Sequence, residues 1–378
     1  MSLEIKSIRF YNFRNYPSLF LDNFERLNIF CGENAIGKTN IIEGIQLLTA
    51  LTSFRHPLLS QLVYSGQDEA RIEMEVFDEK RNLEVACVLA SGKKKYSVNG
   101  KTKQTADIKG IIPAVIFTPD DLNLVKGASS LRRDAIDNLG SQLSKNYYIV
   151  RKDYEQVIRY KNRLYKDEAA ESLIDSINEN LLTCGSQLIY YRVALVQKLF
   201  PLISQYYEQV APQCEKLNIQ YSPSWLEKED ELIHNNQKSL FSLKRADIKE
   251  YLVSELVVRK GEERARKRAV VGPHSDHVDF FINKKPAAAF GSQGQQRLCA
   301  LSFKMAEVSV IEEIIHQKPV LLLDDVMSEL DENRRRALME FITTEVQTFI
   351  TTTNLSYFTS EELERARVIK LPLKDSVL

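Results

Sequence analysis

Two adjacent carboxylates, Asp324 and Asp325, have the clearest chemical potential in this sequence. They follow the apolar residues 320–323, a pattern that predicts a buried parallel strand ending in negative charge. Carboxylates in such a place can hold Mg²⁺, usually through water, and can polarise a water molecule for attack. The pair therefore indicates a hydrolytic centre, provided that other residues bind a phosphorylated ligand beside it.

A phosphate-binding loop lies far upstream of this pair. Residues 32–39 read Gly-Glu-Asn-Ala-Ile-Gly-Lys-Thr and fit the pattern G-x-x-x-x-G-K-[ST]. Residues 27–31 before the loop predict a strand, and the apolar residues after it recur at helical spacing. Lys38 would reach the β- and γ-phosphates of a nucleoside triphosphate, and the Thr39 hydroxyl would bind Mg²⁺. The alternative is that residues 32–39 form only a glycine-rich turn before an ordinary helix. That alternative does not account for the combination of strand, loop and helix with a distant strand that ends in two aspartates.

A third polar segment begins at Ser292. Residues 292–297 read Ser-Gln-Gly-Gln-Gln-Arg and precede an amphipathic segment. A serine and a glycine at a helix N-terminus offer a hydroxyl and exposed N–H groups to phosphate oxygens. Residues 347–354 predict a strand beside that of Asp324, and residues 333–342 predict the crossover helix between them. Arg14, in a turn after the first predicted strand, is either a surface residue or a phosphate contact, and the pattern leaves both open.

The elements between these groups fall into two kinds. Residues 70–104 alternate apolar and polar side chains and predict a β-meander with a hairpin turn at Asn99 and Gly100. From residue 129 to about 200 the apolar period becomes helical, and residues 225–238 predict a surface loop. The N- and C-terminal parts therefore predict an α/β fold that carries an inserted helical region.

Basic residues cluster in two places where nucleic acid could bind. One is the predicted strand with Lys93, Lys94 and Lys95, although lysines also guard sheet edges against further strand pairing. The other is the helical region, where tyrosines are interleaved with basic residues. A solvated helix face with core tyrosines explains the second cluster equally well. The DNA-binding candidates in that region are Arg132, Arg133, Arg151, Lys152, Arg159 and Lys161.

Composition limits the possible classes of protein. The 378 residues carry equal numbers of acidic and basic side chains, so a nucleic-acid surface must come from local clustering. No apolar run approaches the roughly 20 residues of a membrane span, so no membrane partner is expected. The five cysteines are scattered and contain no C-x-x-C pair, which predicts a cytoplasmic location and neither zinc nor a disulfide framework.

In this combination and order, the motifs resemble those of ABC-type ATPase heads and, more narrowly, the RecF family of bacterial DNA replication and repair proteins. The resemblance spans nearly the whole chain and rests on residues 12–16, 32–40, 117–122, 124–127, 132–133, 272–274, 292–297 and 321–331. It implies an α/β fold, an ABC-type P-loop ATPase head with a mixed or parallel sheet, a β-meander and an inserted α-helical second lobe. The implied parts are 1–125 for the N-terminal part of the ATPase lobe, 126–254 for the helical lobe, and 255–378 for the C-terminal part.

The resemblance also implies roles for individual residues. Asp325 would activate water, Asp324 and Thr39 would hold Mg²⁺, and Lys38 and Ser292 would bind the reacting phosphate, Ser292 acting on the ATP of a second subunit. The residues that would contact ATP are Gly32, Glu33, Asn34, Ala35, Ile36, Gly37, Lys38, Thr39, Asn40, Arg14, Ser292, Gly294 and Gln295, with Asp331 in the loop at the dimer interface.

In function, the resemblance implies a weak, DNA-stimulated ATPase of recombinational repair, replication and the SOS response. ATP and Mg²⁺ would drive a homodimer that binds single-stranded, double-stranded or gapped DNA, works with RecR and RecO and indirectly helps to load RecA. The alternative is another ABC-type repair ATPase, similar to Rad50 or SMC proteins, that uses hydrolysis for DNA-end processing or motor work. A P-loop small-molecule kinase fits less well, because kinases need no second phosphate clamp such as residues 292–297.

Some residues depart from the usual ABC pattern. Ala35 stands where glycine is often found in the middle of the loop, which is tolerable if its φ is negative. Asp325 stands where most ABC ATPases have glutamate, and its shorter arm suits slow hydrolysis. No histidine follows the strand at 347–354, so Thr352, Thr353 or Asn354 would sense the γ-phosphate, unless that contact is absent.

Overall fold

The structure is a computed structural model, and it describes residues 3–78, 81–212, 214–226, 240–342 and 346–373. The chain divides into two compact units. The first unit combines Met1–Asp121 with Glu307–Leu378, and the second unit is Leu122–Ala306. The N-terminal and C-terminal segments therefore fold together in one unit, and the second unit is inserted between them in the sequence.

The strands are β1 (Glu4–Phe13), β2 (Tyr16–Leu21), β3 (Leu27–Cys31), β4 (Glu69–Asp78), β5 (Arg81–Ala90), β6 (Lys93–Val98), β7 (Lys101–Lys103), β8 (Ala114–Phe117), β9 (Leu217–Ser222), β10 (His277–Ile282), β11 (Lys285–Pro286), β12 (Val320–Asp324), β13 (Thr348–Thr352) and β14 (Ala366–Lys370). The α-helices are α1 (Lys38–Thr49), α2 (Thr105–Ile108), α3 (Asn123–Lys126), α4 (Ser129–Leu143), α5 (Lys145–Lys166), α6 (Glu171–Val210), α7 (Arg245–Val258), α8 (Lys260–Arg266), α9 (Ala287–Phe290), α10 (Gln293–Ile315), α11 (Glu332–Ile342) and α12 (Ser360–Glu364).

A parallel sheet of order β14-β3-β13-β12-β8 forms the centre of the first unit. Every residue of β12 and β13 is buried, because a parallel sheet is covered on both faces. The predicted pairing of β12 with β13 through the crossover helix α11 is confirmed. All five strands run in the same direction, so Cys31, Asp324 and Thr352 end at one edge of the sheet.

The second sheet of this unit is antiparallel, with order β2-β1-β4-β5-β6-β7, and it confirms the predicted β-meander. Asn99 and Gly100 both have positive φ, 49° and 72°, as a tight two-residue hairpin turn requires. Helix α1 shares one hydrophobic core with strands of both sheets. At Gly44 a Cβ atom would clash with the ring of Phe10, so this glycine permits the close approach of α1 to β1.

The second unit consists mainly of α4, α5 and the long helix α6, which confirms the helical period predicted for this region. It extends beyond the predicted insertion at 126–254. Strand β10 pairs with β9, with Val278 opposite Tyr221, and Arg132 of α4 donates a hydrogen bond to the Val278 carbonyl. In this division residues 255–306 fall in the second unit, whereas the sequence-based division assigned them to the C-terminal part of the ATPase lobe.

At the start of the predicted surface loop at 225–238, Trp225 and Leu226 are buried, and residues 227–238 lie outside the described residues. Among the described residues, no helix combines the length and the apolar character that a membrane crossing needs.

Candidate nucleotide-binding site

The phosphate-binding loop joins the end of β3 to the start of α1 and is held from outside by the turn after β1. Asn15 donates a hydrogen bond from Nδ2 to the Ile36 carbonyl at 3.2 Å and accepts one from Asn40 at 2.7 Å. Gly37 has a φ of 111°, and a Cβ atom there would lie 2.6 Å from the Tyr16 hydroxyl. Both the backbone angle and the close contact therefore require glycine at this position.

Ala35 has a φ of 64°, so the condition of a negative φ, under which alanine would be tolerated without cost, is not met. Loops that turn successive N–H groups toward one anion alternate right-handed and left-handed backbone conformations, and Ala35 occupies a left-handed position. A residue with a Cβ atom costs roughly 1–2 kcal/mol in that conformation. The loop therefore contains local strain that a glycine would remove.

The Lys38 side chain folds back over the loop. Its Nζ donates hydrogen bonds to the carbonyls of Gly32 at 2.7 Å and Glu33 at 2.8 Å, and the residue is 6% exposed. Loop carbonyls therefore fix the ammonium group at the side of the loop, where it can meet an anion bound by the N–H groups. This arrangement fits a phosphate ligand.

Thr39 and Asp324 lie side by side, as a Mg²⁺ site requires. The carboxylate of Asp324 accepts a hydrogen bond from Thr351 Oγ1 at 2.8 Å, and the Thr39 hydroxyl lies close enough to interact with it. Burial raises the pKa of Asp324, while the two threonine hydroxyls and the charges of Arg55 and Lys38 oppose the increase. A hydroxyl and a partly desolvated carboxylate are oxygen donors that suit Mg²⁺, so these residues fit the ion.

Asp325 has a carboxylate oxygen that is free for a further partner. Its Oδ1 is buried and has no hydrogen-bond partner among the residues that the structure describes. The backbone has a φ of 52°, and its N–H donates to Thr351 Oγ1 at 2.9 Å. Burial raises the pKa of Asp325, and nearby Asp324 adds to the increase, while Lys38 opposes it. The unpaired oxygen and the raised pKa suit a group that accepts a proton from water.

Sequence reasoning gave Thr351 no role, although its hydroxyl bonds to both aspartates of the site. The available signal was register, because β12 and β13 are parallel and pair Asp324 with Thr351. Of the proposed γ-phosphate sensors, Thr352 is buried and its hydroxyl donates to the Asn354 carbonyl at 3.0 Å. Thr353 and Asn354 are exposed. The sensing role of all three residues stays a prediction.

Arg14 is held within the first unit by a carboxylate that sequence reasoning missed. Its Nε and Nη2 donate to the two oxygens of Glu43 at 2.8 and 2.7 Å, and its Nη1 donates to the Gln61 carbonyl at 2.9 Å. Glu43 is fully buried on α1 and also accepts a hydrogen bond from Ser53. Each terminal nitrogen of Arg14 thus has a protein partner, and the nucleotide contact predicted for Arg14 stays untested.

The predicted signature residues cap helix α10 in the second unit. Ser292 Oγ accepts from the Gln295 N–H at 3.2 Å, and the Ser292 N–H donates to Gln295 Oε1 at 2.7 Å. This reciprocal capping box leaves the serine proton available to an external acceptor. Asp331 caps α11 in a similar way, accepting from the Arg334 N–H at 3.0 Å and forming an ion pair with the same arginine. Binding of ATP by these residues stays a prediction.

Two predicted DNA contacts lie inside the second unit. Arg132 is 6% exposed and donates to the carbonyls of Leu124, Gly127 and Val278 and to Asp279. Lys161 is fully buried and forms an ion pair with Glu263 at 2.7 Å. These internal partners correct the prediction, because a buried cation that is already paired does not present its charge to a phosphate backbone.

The remaining DNA candidates differ in how free their charges are. Arg133 donates to the Asp276 carbonyl, and Arg151, Lys152 and Arg159 all form ion pairs with Glu155, which offsets part of their charge. Lys93 and Lys95 are exposed on β6, and burial lowers the pKa of Lys94. Of the interleaved tyrosines, Tyr147, Tyr154 and Tyr165 are buried and fit core residues, whereas Tyr148 is half-buried and Tyr160 is 50% exposed.

Comparisons with known proteins show the family to which this chain belongs. The family model described as the RecF/RecN/SMC N terminal domain matches residues 4–370. A DNA replication and repair protein RecF from Microcystis aeruginosa is 33% identical over 383 residues, covering 98% of each chain. A second RecF, from Oceanobacillus iheyensis, is 32% identical over 377 residues and also covers 98% of each chain.

Solved structures confirm the fold class. One, described as the recombination mediator protein RecF-ATPrS in the RecFOR pathway, aligns with a TM-score of 0.85 at 31% identity over 94% of each chain. An SMC head domain from Pyrococcus furiosus aligns with a TM-score of 0.55 at 16% identity over 97% of this chain and 93% of that chain, and so shares the fold. The predicted ABC-type head and the predicted family are both confirmed: the chain belongs to the RecF family of DNA replication and repair proteins, within the wider RecF/RecN/SMC group.

Proposed function

We propose that this chain is an ATP-dependent DNA-binding protein of recombinational repair and replication that acts in the cytoplasm. The observation that carries this proposal is the cluster of Thr39, Asp324 and Asp325 beside the phosphate-binding loop. Such a cluster can bind and slowly hydrolyse a nucleoside triphosphate. RecF relatives of similar length, including a solved structure described as RecF-ATP, support ATP as the nucleotide and DNA repair as the process.

The loop residues bind the triphosphate of ATP through backbone N–H groups, and Lys38 adds a point charge at the reacting phosphate. Thr39 and Asp324 would hold Mg²⁺, which supplies positive charge to the phosphate oxygens when it is bound. The hydrogen bond from Thr351 keeps the Asp324 carboxylate oriented toward this position. Thr351 thereby positions a metal ligand without touching the nucleotide itself.

Asp325 orients and deprotonates the attacking water through its unpaired oxygen. The bond from its N–H to Thr351 fixes the backbone, and the raised pKa makes the carboxylate a stronger base. An aspartate reaches less far than the glutamate usual at this position, so hydrolysis is slow and serves as a timer. DNA would stimulate this slow turnover.

The bound state is a homodimer in which Ser292 and Gly294 of one subunit bind the γ-phosphate held by the P-loop of the other, with Asp331 at the interface. The capped N-terminus of α10, with a free serine proton, supports this role. The dimer holds single-stranded, double-stranded or gapped DNA, works with RecO and RecR to promote RecA loading, and separates after hydrolysis. The pathway named for the solved RecF relative supports these partners.

A DNA-binding titration tests this function. Fluorescence anisotropy of a labelled gapped duplex should show tight binding only with ATP and Mg²⁺. Lys38→Arg should still bind nucleotide but lose the ATP-dependent gain, because a guanidinium group cannot reproduce the point charge that two loop carbonyls hold at 2.7 and 2.8 Å. Lys101→Arg, on exposed strand β7, is the matched control. DNA affinity that is the same with and without ATP would contradict the proposal.

A further inference from the structure

The side chain of Gln295 is held at both ends. Its Oε1 accepts the Ser292 N–H at 2.7 Å, and its Nε2 donates to Glu215 Oε1 at 2.8 Å. Glu215 lies between α6 and β9, far from the signature in sequence, and no motif pointed to it. One carboxylate from the helical region therefore contacts the residue that caps the signature helix.

Glu215 is itself fixed by a buried side chain. The Tyr207 hydroxyl donates to Glu215 Oε2 at 2.7 Å, and Tyr207 is fully buried in the last turn of α6. The two carboxylate oxygens thus have different partners, the tyrosine on one side and the glutamine on the other. This division leaves the carboxylate little freedom to rotate.

The carboxylate also determines which way the Gln295 amide points. An ionised carboxylate only accepts hydrogen bonds, so it selects the NH₂ end of the amide. The carbonyl end of Gln295 must then face the Ser292 N–H, as observed. The same geometry keeps Ser292 Oγ as an acceptor for the Gln295 N–H, which directs the hydroxyl proton away from the helix.

We propose that Glu215 is a positioning residue for the signature, acting through Gln295 to hold Ser292 ready for a phosphate. This proposal rests on the proposed function, since it assumes that Ser292 meets the γ-phosphate of a partner subunit. Without Glu215 the long Gln295 side chain regains rotamer freedom, and the Ser292 hydroxyl becomes an occasional rather than a constant donor. Glu215 affects formation of the dimer and leaves ATP binding by the P-loop unchanged.

The first test compares Glu215→Ala with Glu215→Gln. Dimerisation with ATP and Mg²⁺ is followed by light scattering, and ATP binding by the monomer is followed with a fluorescent analogue at low protein concentration. We expect Glu215→Ala to weaken dimerisation by about tenfold or more, as for loss of a hydrogen bond to a charged group, with unchanged ATP affinity of the monomer. Glu215→Gln keeps an acceptor for Gln295 and should recover most of the loss.

A swapped pair keeps the test decisive if Glu215→Ala folds poorly. Gln295→Glu alone sets two carboxylates against each other and should weaken dimerisation. Combining it with Glu215→Gln restores an amide-carboxylate pair in reverse order, so the double variant should dimerise better than Gln295→Glu alone. A double variant that is no better than Gln295→Glu would overturn the inference.

Ser292→Arg separates failure of this inference from failure of the proposed function. If Ser292→Arg abolishes ATP-dependent dimerisation while Glu215→Ala dimerises like the wild type, Glu215 has no positioning role and the function stands. If Ser292→Arg also dimerises normally, the signature does not join the subunits and the proposed function itself fails.

Discussion

Replacing Arg14 with glutamine should strongly reduce the free energy of unfolding and should have a much smaller effect on the affinity for ATP. Arg14 binds both oxygens of Glu43 at 2.7 and 2.8 Å, and the Glu43 side chain is fully buried while that of Arg14 is 16% exposed. Removing one partner of a buried pair typically costs about 3–5 kcal/mol, because the other charge stays buried. Glu43 keeps its hydrogen bond from Ser53, and Arg55 Nη1 remains 3.8 Å from its carboxylate. We therefore expect a loss of about 3 kcal/mol in the free energy of unfolding, at the lower end of this range.

For a unit of this size, about 3 kcal/mol corresponds to a Tm lowered by roughly 6–12 °C. Calorimetry and urea denaturation measure the loss, and a fluorescent ATP analogue measures nucleotide affinity below the new Tm. Arg71→Gln is the control, because Arg71 forms an exposed ion pair with Glu73 that should contribute less than about 1 kcal/mol.

The double variant with Arg14→Gln and Glu43→Gln should recover much of the lost stability, because no buried charge is then left unpaired. An Arg14→Gln protein with the wild-type Tm and an ATP affinity at least about tenfold weaker would refute this reasoning. That result would establish Arg14 as a nucleotide ligand, the role that the sequence left open.

Three further substitutions address the loop and the two aspartates. Ala35→Gly should stabilise the protein to denaturation by about 0.5–1 kcal/mol, since glycine adopts a φ of 64° without strain, and a destabilised variant would contradict this. Asp325→Asn should bind ATP and dimerise but lose about 100-fold or more in turnover, whereas normal turnover would remove its role as the base. Asp324→Asn should raise the Tm of the nucleotide-free protein at neutral pH, because burial raises the pKa of Asp324 and its ionisation destabilises the fold as the pH rises through that pKa. This gain in Tm should shrink as the pH is lowered toward the ordinary aspartate range, and a gain that is independent of pH would contradict it.

Local patterns were sufficient to predict the centre of the site. The loop around Lys38 and the strand ending at Asp324 are contiguous motifs, and their order implied a parallel sheet before any contact was known. The β-meander followed from alternation and from the Asn99–Gly100 turn in the same way. These features depend on residues that are close together in the sequence, so they can be recognised from the sequence of one chain alone.

Long-range partners could not be predicted in this way. Glu43 and Glu215 each bind a functional segment through a side chain that no motif marks, and Thr351 becomes relevant only through strand register. Lys161 and Arg132 appeared to be surface cations because helical periodicity does not reveal buried ion pairs. The strained angle of Ala35 likewise depends on the shape of the loop and not on residue type.

The most direct test of the account is the mass of the protein in solution, measured by light scattering with and without ATP and Mg²⁺. We expect the wild type to change from monomer to dimer only with both, and Ser292→Arg to stay monomeric while its P-loop still binds ATP. A wild-type protein that hydrolyses ATP while remaining a monomer would contradict the sandwich of P-loop and signature, and with it the central claim.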